Sequence, residues 1–257
     1  MKWSFPILAY LTIWAGLFWL HSTWAALLGF HAVIIILLLI NKANIHHQIN
    51  SFLNLPVVVL ARAFFPMQSP PEREDCFVPR SDGVVGSVEK TFLRNHVPIA
   101  RLFKSKNIKW IILSVFLCGS SGIILYFLWP IFGIANDLPA QLRSLGLASF
   151  TWPAFIAYFS LVNPLIEEYF WRGFLGGNSK NLYMSDPLYA GYHALVLWGK
   201  VHPFSILFAI ILLTLIGWSW RQIAREDDGL FAPLLGHMAA DFSITLCVYW
   251  MCMFQMT

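Results

Sequence analysis

The sequence is poor in charge. Lys, Arg, Asp and Glu make up only 12% of its 257 residues, whereas 58% are apolar. Soluble globular domains carry charge on about a quarter of their residues. Several uncharged windows also reach the roughly 20 residues that a helix needs to cross a bilayer. The composition excludes an ordinary soluble domain and favours an all-α, polytopic transmembrane bundle.

Cysteine and internal repeats are scarce as well. The chain has four cysteines and no Cys-x-x-Cys pair, so we expect neither a disulfide framework nor a structural zinc site built on cysteine. No internal repeat is visible, which argues against a carrier of the inverted-repeat type. The formal net charge is a modest +4, and we expect no nucleic-acid partner.

Uncharged windows predict about seven membrane spans within one integral-membrane domain, residues 1–257. The predicted spans are 4–20, 24–41, 110–136, about 152–168, about 187–200, 203–220 and 229–254. Residues 42–109 hold ten of the 17 Lys and Arg and predict a polar loop, in which Phe52–Phe65 is apolar enough to lie along the membrane interface. His31, in the second span, is predicted to be a satisfied or lipid-shielded histidine.

The basic residues predict an orientation. Lys and Arg are enriched in cytoplasmic loops and near the cytoplasmic ends of spans. With the N-terminus inside, the ten of 42–109 fall on the cytoplasmic side together with Lys2, Arg172, Lys180, Arg221 and Arg225, which makes 15. Only two, Arg143 and Lys200, fall on the other side. We therefore expect the 42–109 loop to be cytoplasmic.

One stretch places two carboxylates at the end of an apolar run. Glu167 and Glu168 follow 23 residues without a charged side chain. Charge against hydrocarbon is costly and is kept mainly where it pairs or does chemistry. Glu168 and Arg172 are four residues apart, so on a helix they share a face and can pair. Glu167 is left without an obvious local partner.

The predicted topology brings further polar residues to the level of Glu167. His193 and His237 lie a few residues into the fifth and seventh spans, counted from the cytoplasmic side. A rise of 1.5 Å per residue puts them roughly 7–10 Å below the boundary, at the level of Glu167. Asp241 follows His237 by one helical turn, and Tyr189 precedes His193 by one. Ionisable groups from three helices at one depth predict a hydrolytic or ion-binding site.

Two chemistries fit these residues. In the first, Glu167 and His193 hold and deprotonate a water while His237 and Asp241 stabilise an oxyanion. In the second, a zinc ion is bound by His193, His237 and a carboxylate, for which Glu167 is the candidate, and lowers the pKa of its bound water. The spacing alone leaves both open.

Three motifs in order carry a family resemblance. They are Glu167-Glu168-x-x-x-Arg172, Tyr189-x-x-x-His193 and His237-x-x-x-Asp241. This pattern resembles the signature of the CPBP family, the type II CAAX prenyl endopeptidases and bacteriocin-processing (Abi) proteins, over about residues 145–250. The family often has Phe where Tyr189 stands, and Asn or Asp where Asp241 stands.

The resemblance implies an integral-membrane endopeptidase that acts on a membrane-associated, in one branch prenylated, protein or peptide. By this resemblance Glu167 is the base that activates water, and Glu168 with Arg172 supports it. His193 partners the water or a metal ion, and His237 with Asp241 completes the site. With the predicted orientation, the site opens to the cytoplasmic side.

Other functions stay open at this point. Gly119-Ser-Ser-Gly122 matches the Gly-x-Ser-Gly of rhomboid serine proteases, with His193 or His237 as the nominal base for Ser121. Small residues in membrane helices more commonly form close-packing surfaces. The buried acids and histidines also suit a carrier with a proton or ion pathway. A relative that binds membrane peptides without cleaving them is the third alternative.

Overall fold

The computed structural model describes residues 4–53 and 99–254, with side chains at 4–41 and 99–253. All regular secondary structure in these two ranges is helical, which confirms the predicted all-α, polytopic fold class. Most of the predicted 42–109 loop lies outside the described residues. So does the predicted interfacial piece Phe52–Phe65, except for its first two residues.

The helices begin where the sequence supplies helix-starting residues. Proline is the first or second residue of five of them, where its missing N–H breaks no helical hydrogen bond. The helices are α1 (Phe5–Trp14), α2 (Thr23–Leu53), α3 (Ile108–Gly119), α4 (Ser121–Leu128), α5 (Leu138–Ser144), α6 (Trp152–Leu161), α7 (Asn163–Glu168), α8 (Ser185–Gly191), α9 (His193–Leu197), α10 (Pro203–Glu226) and α11 (Phe231–Phe254), with π-helical turns at Ala15–Trp19 and Tyr169–Phe174 and a 3-10 turn at Ile99–Phe103.

Four segments are long and apolar enough to cross a membrane. They are Thr23–Asn41, Ile108–Leu128, Pro203–Glu226 and Phe231–Met253, with the shorter Phe5–Trp19 beside them. The predicted fourth span is instead divided into α6, α7 and the following π-helical turn, because Asn163-Pro164 interrupts it. The predicted fifth span is the broken pair α8 and α9, which at 1.5 Å per residue reaches only about 20 Å.

Helix α2 is longer than the sequence pattern indicated. The predicted polar loop begins at residue 42, whereas the helix continues to Leu53. The chain has no glycine or proline between Gly29 and Pro56 to stop it. The chain divides into two compact units, Met1–Ile34 with Val97–Thr257, and Ile35–His96. Every residue of the site described below belongs to the first unit.

Helix α11 packs against α3, α4 and α6. The seam with α4 requires small residues, since a Cβ on Gly122 would lie 2.1 Å from the Ser243 carbonyl oxygen. The Ser121 hydroxyl donates to the Cys118 carbonyl and lies 3.0 Å from the Ser243 hydroxyl. The Gly-x-Ser-Gly stretch is therefore a packing surface, and Ser121 is engaged within it.

The turn between α10 and α11 is tied to the segment that precedes α3. The Asp227 carboxylate accepts hydrogen bonds from the Ser105 hydroxyl at 2.5 Å and the Lys106 amide at 2.8 Å. Asp228 pairs with Lys104 at 2.6 Å and with Lys106 at 3.3 Å. Hydrogen bonds from these two lysines lower the pKa of the Asp228 carboxyl, and the bond from Lys104 has the larger effect. These contacts fix the start of α11, which carries His237 and Asp241.

Candidate active site

The two glutamates and the arginine of the first motif lie on α7 and the π-helical turn that follows it. Glu167 and Glu168 are 1% and 0% exposed. Arg172 Nη1 donates to Glu168 Oε1 at 3.0 Å, so the predicted pair forms. Arg172 lies in the π-helical turn Tyr169–Phe174. Such widened turns occur within α-helical runs frequently at functional sites.

Aromatic rings enclose the Arg172 guanidinium. Its carbon lies 3.8 Å from the centroid of the Tyr189 ring and 5.1 Å from that of Trp220. The helix that carries Trp220 comes close because Gly217 has no side chain, and a Cβ there would lie 3.2 Å from Arg172 Nη2. Cation–π contact strengthens when the cation is desolvated. Tyr189, singled out for its spacing to His193, therefore contributes by holding the arginine.

His237 joins the carboxylates. Its Nδ1 lies 2.8 Å from Glu168 Oε1, and since a carboxylate accepts, this nitrogen carries the proton and donates it. On the other side of the ring, Nε2 lies 3.9 Å from Glu167 Oε2 and 3.6 Å from Asp241 Oδ1. The first and third motifs thus meet at one imidazole, as their common depth predicted.

Glu167 has one oxygen held and one oxygen open. The Tyr192 hydroxyl donates to Oε1 at 2.5 Å. Oε2 is buried and has no hydrogen-bond partner within residues 4–41 and 99–253. Buried polar atoms are nearly always hydrogen-bonded, and an unpaired carboxylate oxygen is costly. Oε2, beside the imidazole of His237, is where a water or a reacting group would be bound.

Sequence reasoning missed Tyr192. Its ring is nearly parallel to Trp171, at an interplanar angle of 14°, and stacks on His193 at 4.1 Å between centroids. A signal was present, because Tyr192 follows Tyr189 by three residues and so shares its helical face. The residue is buried and its hydroxyl reaches the carboxylate that carries the proposed chemistry.

His193 begins α9, directly after the break at Tyr192. Its Nδ1 lies 3.2 Å from the Tyr189 carbonyl oxygen, so this nitrogen donates, and in the neutral ring Nε2 keeps its lone pair. The link from His193 to Glu167 runs through the Tyr192 ring on which it stacks. Gly191, just before the break, lets α1 approach, since a Cβ there would lie 2.8 Å from the Tyr10 hydroxyl.

The zinc hypothesis finds two of its three ligands close together. Glu167 and His237 converge, but in the part of the chain that the structure describes no group of three or more His, Cys, Asp or Glu side chains is arranged to hold a metal ion. His193 does not complete such a group. Zinc binding by Glu167, His193 and His237 stays a prediction.

Residues 149–243 match the family model of the type II CAAX prenyl endopeptidase Rce1-like proteins. The predicted resemblance is confirmed. The Rce1-like segment contains all three motifs and supports a membrane-embedded endopeptidase of the CAAX type with a peptide or protein substrate. No curated protein and no solved structure matches the chain.

The Rce1-like segment covers less than half of the chain and begins just before α6. Helices α1 and α2 lie outside it, yet both contact its site residues. From α2, Phe30 packs against the Tyr192 ring at 5.5 Å between centroids, and from α1 the Tyr10 ring meets the same ring edge-on at 6.3 Å. The N-terminal hairpin is thus part of the surroundings of the site.

Proposed function

We propose that this protein is an intramembrane endopeptidase that hydrolyses a peptide bond in a membrane-associated substrate, prenylated proteins included. One observation carries the proposal. A buried carboxylate oxygen, Glu167 Oε2, is without a partner among the described side chains and lies 3.9 Å from His237 Nε2. A general base needs such an oxygen within reach of water, next to a group that stabilises the charge that develops.

Glu167 is the base in this proposal. Water bound at Oε2 gives a proton to the carboxylate as its oxygen attacks the carbonyl carbon of the scissile peptide. Tyr192 holds the other carboxylate oxygen at 2.5 Å, which fixes the direction in which Oε2 faces. His193, whose Nε2 keeps a lone pair, is the second acceptor for that water.

His237 and Asp241 are assigned to the oxyanion. In its protonated form, His237 donates through Nε2 to the negative oxygen of the tetrahedral intermediate, and Asp241, 3.6 Å from that nitrogen, supports the charge on the ring. The carbon–nitrogen bond then breaks, and the proton taken up by Glu167 passes to the leaving amine. The products are a carboxylate and an amine, so the water is fully accounted for.

Glu168 and Arg172 hold the imidazole of His237 on its Nδ1 side. Glu168 Oε1 accepts from both His237 Nδ1 and Arg172 Nη1, at 2.8 and 3.0 Å. The arginine offsets the charge of a carboxylate that is itself fully buried. Glu168 therefore sets the orientation of the ring rather than attacking the substrate. The asymmetry of Lys and Arg along the sequence, 15 on the predicted cytoplasmic side against two on the other, supports a cytoplasmic opening of the site.

A cleavage assay in detergent tests the proposal. Prenylated and unprenylated peptides of one sequence are incubated with purified protein in ¹⁸O-labelled water, with and without a chelator. Cleavage with ¹⁸O in the new carboxylate, abolished in Glu167→Gln, is the expected result. Loss of cleavage on chelation, restored by zinc, would support the metal alternative. No cleavage of either peptide by the parental protein would overturn the proposal in favour of a carrier or a binding protein.

A further inference from the structure

His31 lies on α2, well outside the Rce1-like segment, but its side chain ends at the active site. The residue is 3% exposed, and both ring nitrogens have partners. Nε2 lies 3.0 Å from Asn163 Oδ1, and Nδ1 lies 3.0 Å from the Tyr158 hydroxyl. The prediction of a satisfied histidine therefore agrees with the geometry, but its partners lead to the carboxylate beside His237.

The hydrogen bonds in this chain have a fixed direction. Asn163 Nδ2 lies 3.2 Å from Asp241 Oδ2, and a carboxylate can only accept, so the amide nitrogen faces Asp241. Asn163 Oδ1 then faces His31, whose Nε2 must donate. A neutral ring leaves Nδ1 as the acceptor for Tyr158. Each donor therefore points toward Asp241, in the order Tyr158, His31, Asn163 and Asp241.

This series of hydrogen bonds leads from Tyr158 to Asp241, which lies beside the imidazole of His237. Asp241 uses Oδ2 for Asn163, and its other oxygen lies 3.6 Å from His237 Nε2. Asn163 is 2% exposed, so an amide released by loss of His31 would have no water to replace that donor. We propose that His31 is a positioning residue: through Asn163 it holds the Asp241 carboxylate against His237.

The effect on turnover rests on the proposed endopeptidase function. His31→Leu is expected to lower kcat about tenfold with KM within about twofold, the size of one lost hydrogen bond that acts in the transition state. His31→Gln, whose amide can replace Nε2 as donor, should recover most of the loss. His31→Asn is polar but too short to reach Asn163, and should behave like His31→Leu. If His31→Leu does not fold, the comparison of His31→Gln with His31→Asn tests the proposal: equal kcat values in these two variants would contradict it.

A double-mutant cycle separates positioning from general destabilisation. If His31 acts through Asn163, then His31→Leu should add little to the loss of kcat in Asn163→Leu. Ile34→Ala is the matched control, because Ile34 is fully buried one turn further along α2 and is not in the chain of hydrogen bonds. It should lower thermal stability and leave kcat near the parental value. Independent, additive losses for His31 and Asn163 would overturn the proposal.

A spectroscopic measurement does not depend on cleavage. In protein labelled with ¹⁵N-histidine, the His237 ring signals, assigned from a His237→Ala sample, should shift in His31→Leu and stay in place in Ile34→Ala. Unmoved His237 signals in His31→Leu would refute the role of His31 even where the parental protein cleaves. Shifted signals in a protein that cleaves nothing would uphold it while the endopeptidase function fails.

Discussion

Two buried arginines pair with carboxylates in this protein, and their surroundings differ. Arg221 binds Asp186 with two nitrogens, at 2.9 and 2.7 Å. Its remaining hydrogen-bonding capacity is used by backbone carbonyls of the loop after the first motif, those of Gly177, Ser179 and Asn181. Every side-chain nitrogen of this arginine has a partner.

Arg172 is paired much less completely. Arg172 Nη1 donates to Glu168 Oε1, but in the described part of the chain Arg172 Nη2 and Glu168 Oε2 have no hydrogen-bond partner. The neighbouring Glu167 Oε2 is also buried without a hydrogen-bond partner among the described residues. A buried polar network that only stabilises a fold is normally satisfied throughout. The Arg221 pair therefore serves the structure of the loop, whereas the open atoms of the Arg172 cluster support the proposal that this cluster takes part in catalysis.

Removing each arginine is the strongest way to break this comparison. Arg172→Ala and Arg221→Ala each strand a buried carboxylate, which typically costs about 3–5 kcal/mol of stability. Both should lower the yield and the unfolding temperature in detergent. Only Arg172→Ala should also lower cleavage per folded molecule, since Glu168 then loses the partner that holds His237. A fully active Arg172→Ala at normal yield would show that its pair is incidental.

The two site histidines come next. His237→Ala and His193→Ala should each lower kcat/KM by at least about 100-fold, the usual scale for losing general acid–base catalysis. His202→Ala is the control, because that histidine caps the start of α10 through the Phe204 amide. It should lower stability and keep cleavage near the parental rate. Steady-state kinetics on one peptide measures all three, and a parental rate in His237→Ala would contradict the oxyanion assignment.

Smaller losses are expected for groups that orient the others. Tyr192→Phe removes the hydroxyl that holds Glu167 Oε1 and keeps the stacked ring, so kcat should fall about tenfold. Asp241→Asn should be comparably mild, because an amide can still orient a neighbour. Since both changes preserve shape, unfolding temperatures should stay within a few degrees. A 100-fold loss in Tyr192→Phe would instead place its hydroxyl in the proton transfer itself.

Labelling sharpens the comparison without affecting activity. Two variants are made in a Cys76→Ser background, each with one added cysteine. Asn178→Cys lies in the loop held by Arg221, and Ser144→Cys lies at the end of α5. Both positions are exposed. A membrane-impermeant thiol reagent applied to intact cells should label Ser144→Cys and miss Asn178→Cys. The reverse pattern would overturn the cytoplasmic placement of the site.

The sequence was informative where a signal is local or set by depth. The Glu168–Arg172 pair follows from i, i+4 spacing, and the meeting of Glu167 with His237 follows from a common distance below the membrane boundary. The helical fold follows from apolar windows. Each of these depends on period, length or charge, which a single sequence displays directly.

Contacts that depend on helix breaks and distant pairing could not be derived this way. Tyr192 reaches Glu167 where α8 gives way to α9, in a segment predicted as one continuous span. His31 and Asn163 are 132 residues apart, and nothing in their local sequence pairs them. The predicted sixth span ends at residue 220, yet α10 continues past Arg221 and brings it to Asp186. Tertiary packing sets these contacts.

The most direct test neutralises one carboxylate in each region with its shape preserved. Glu167→Gln and Asp186→Asn are purified in parallel, and unfolding temperature and peptide cleavage are measured on both. Glu167→Gln should fold as the parental protein does and lose at least about 100-fold in rate. Asp186→Asn should unfold at a lower temperature and keep its cleavage rate per folded molecule. Cleavage at the parental rate by folded Glu167→Gln would contradict the account.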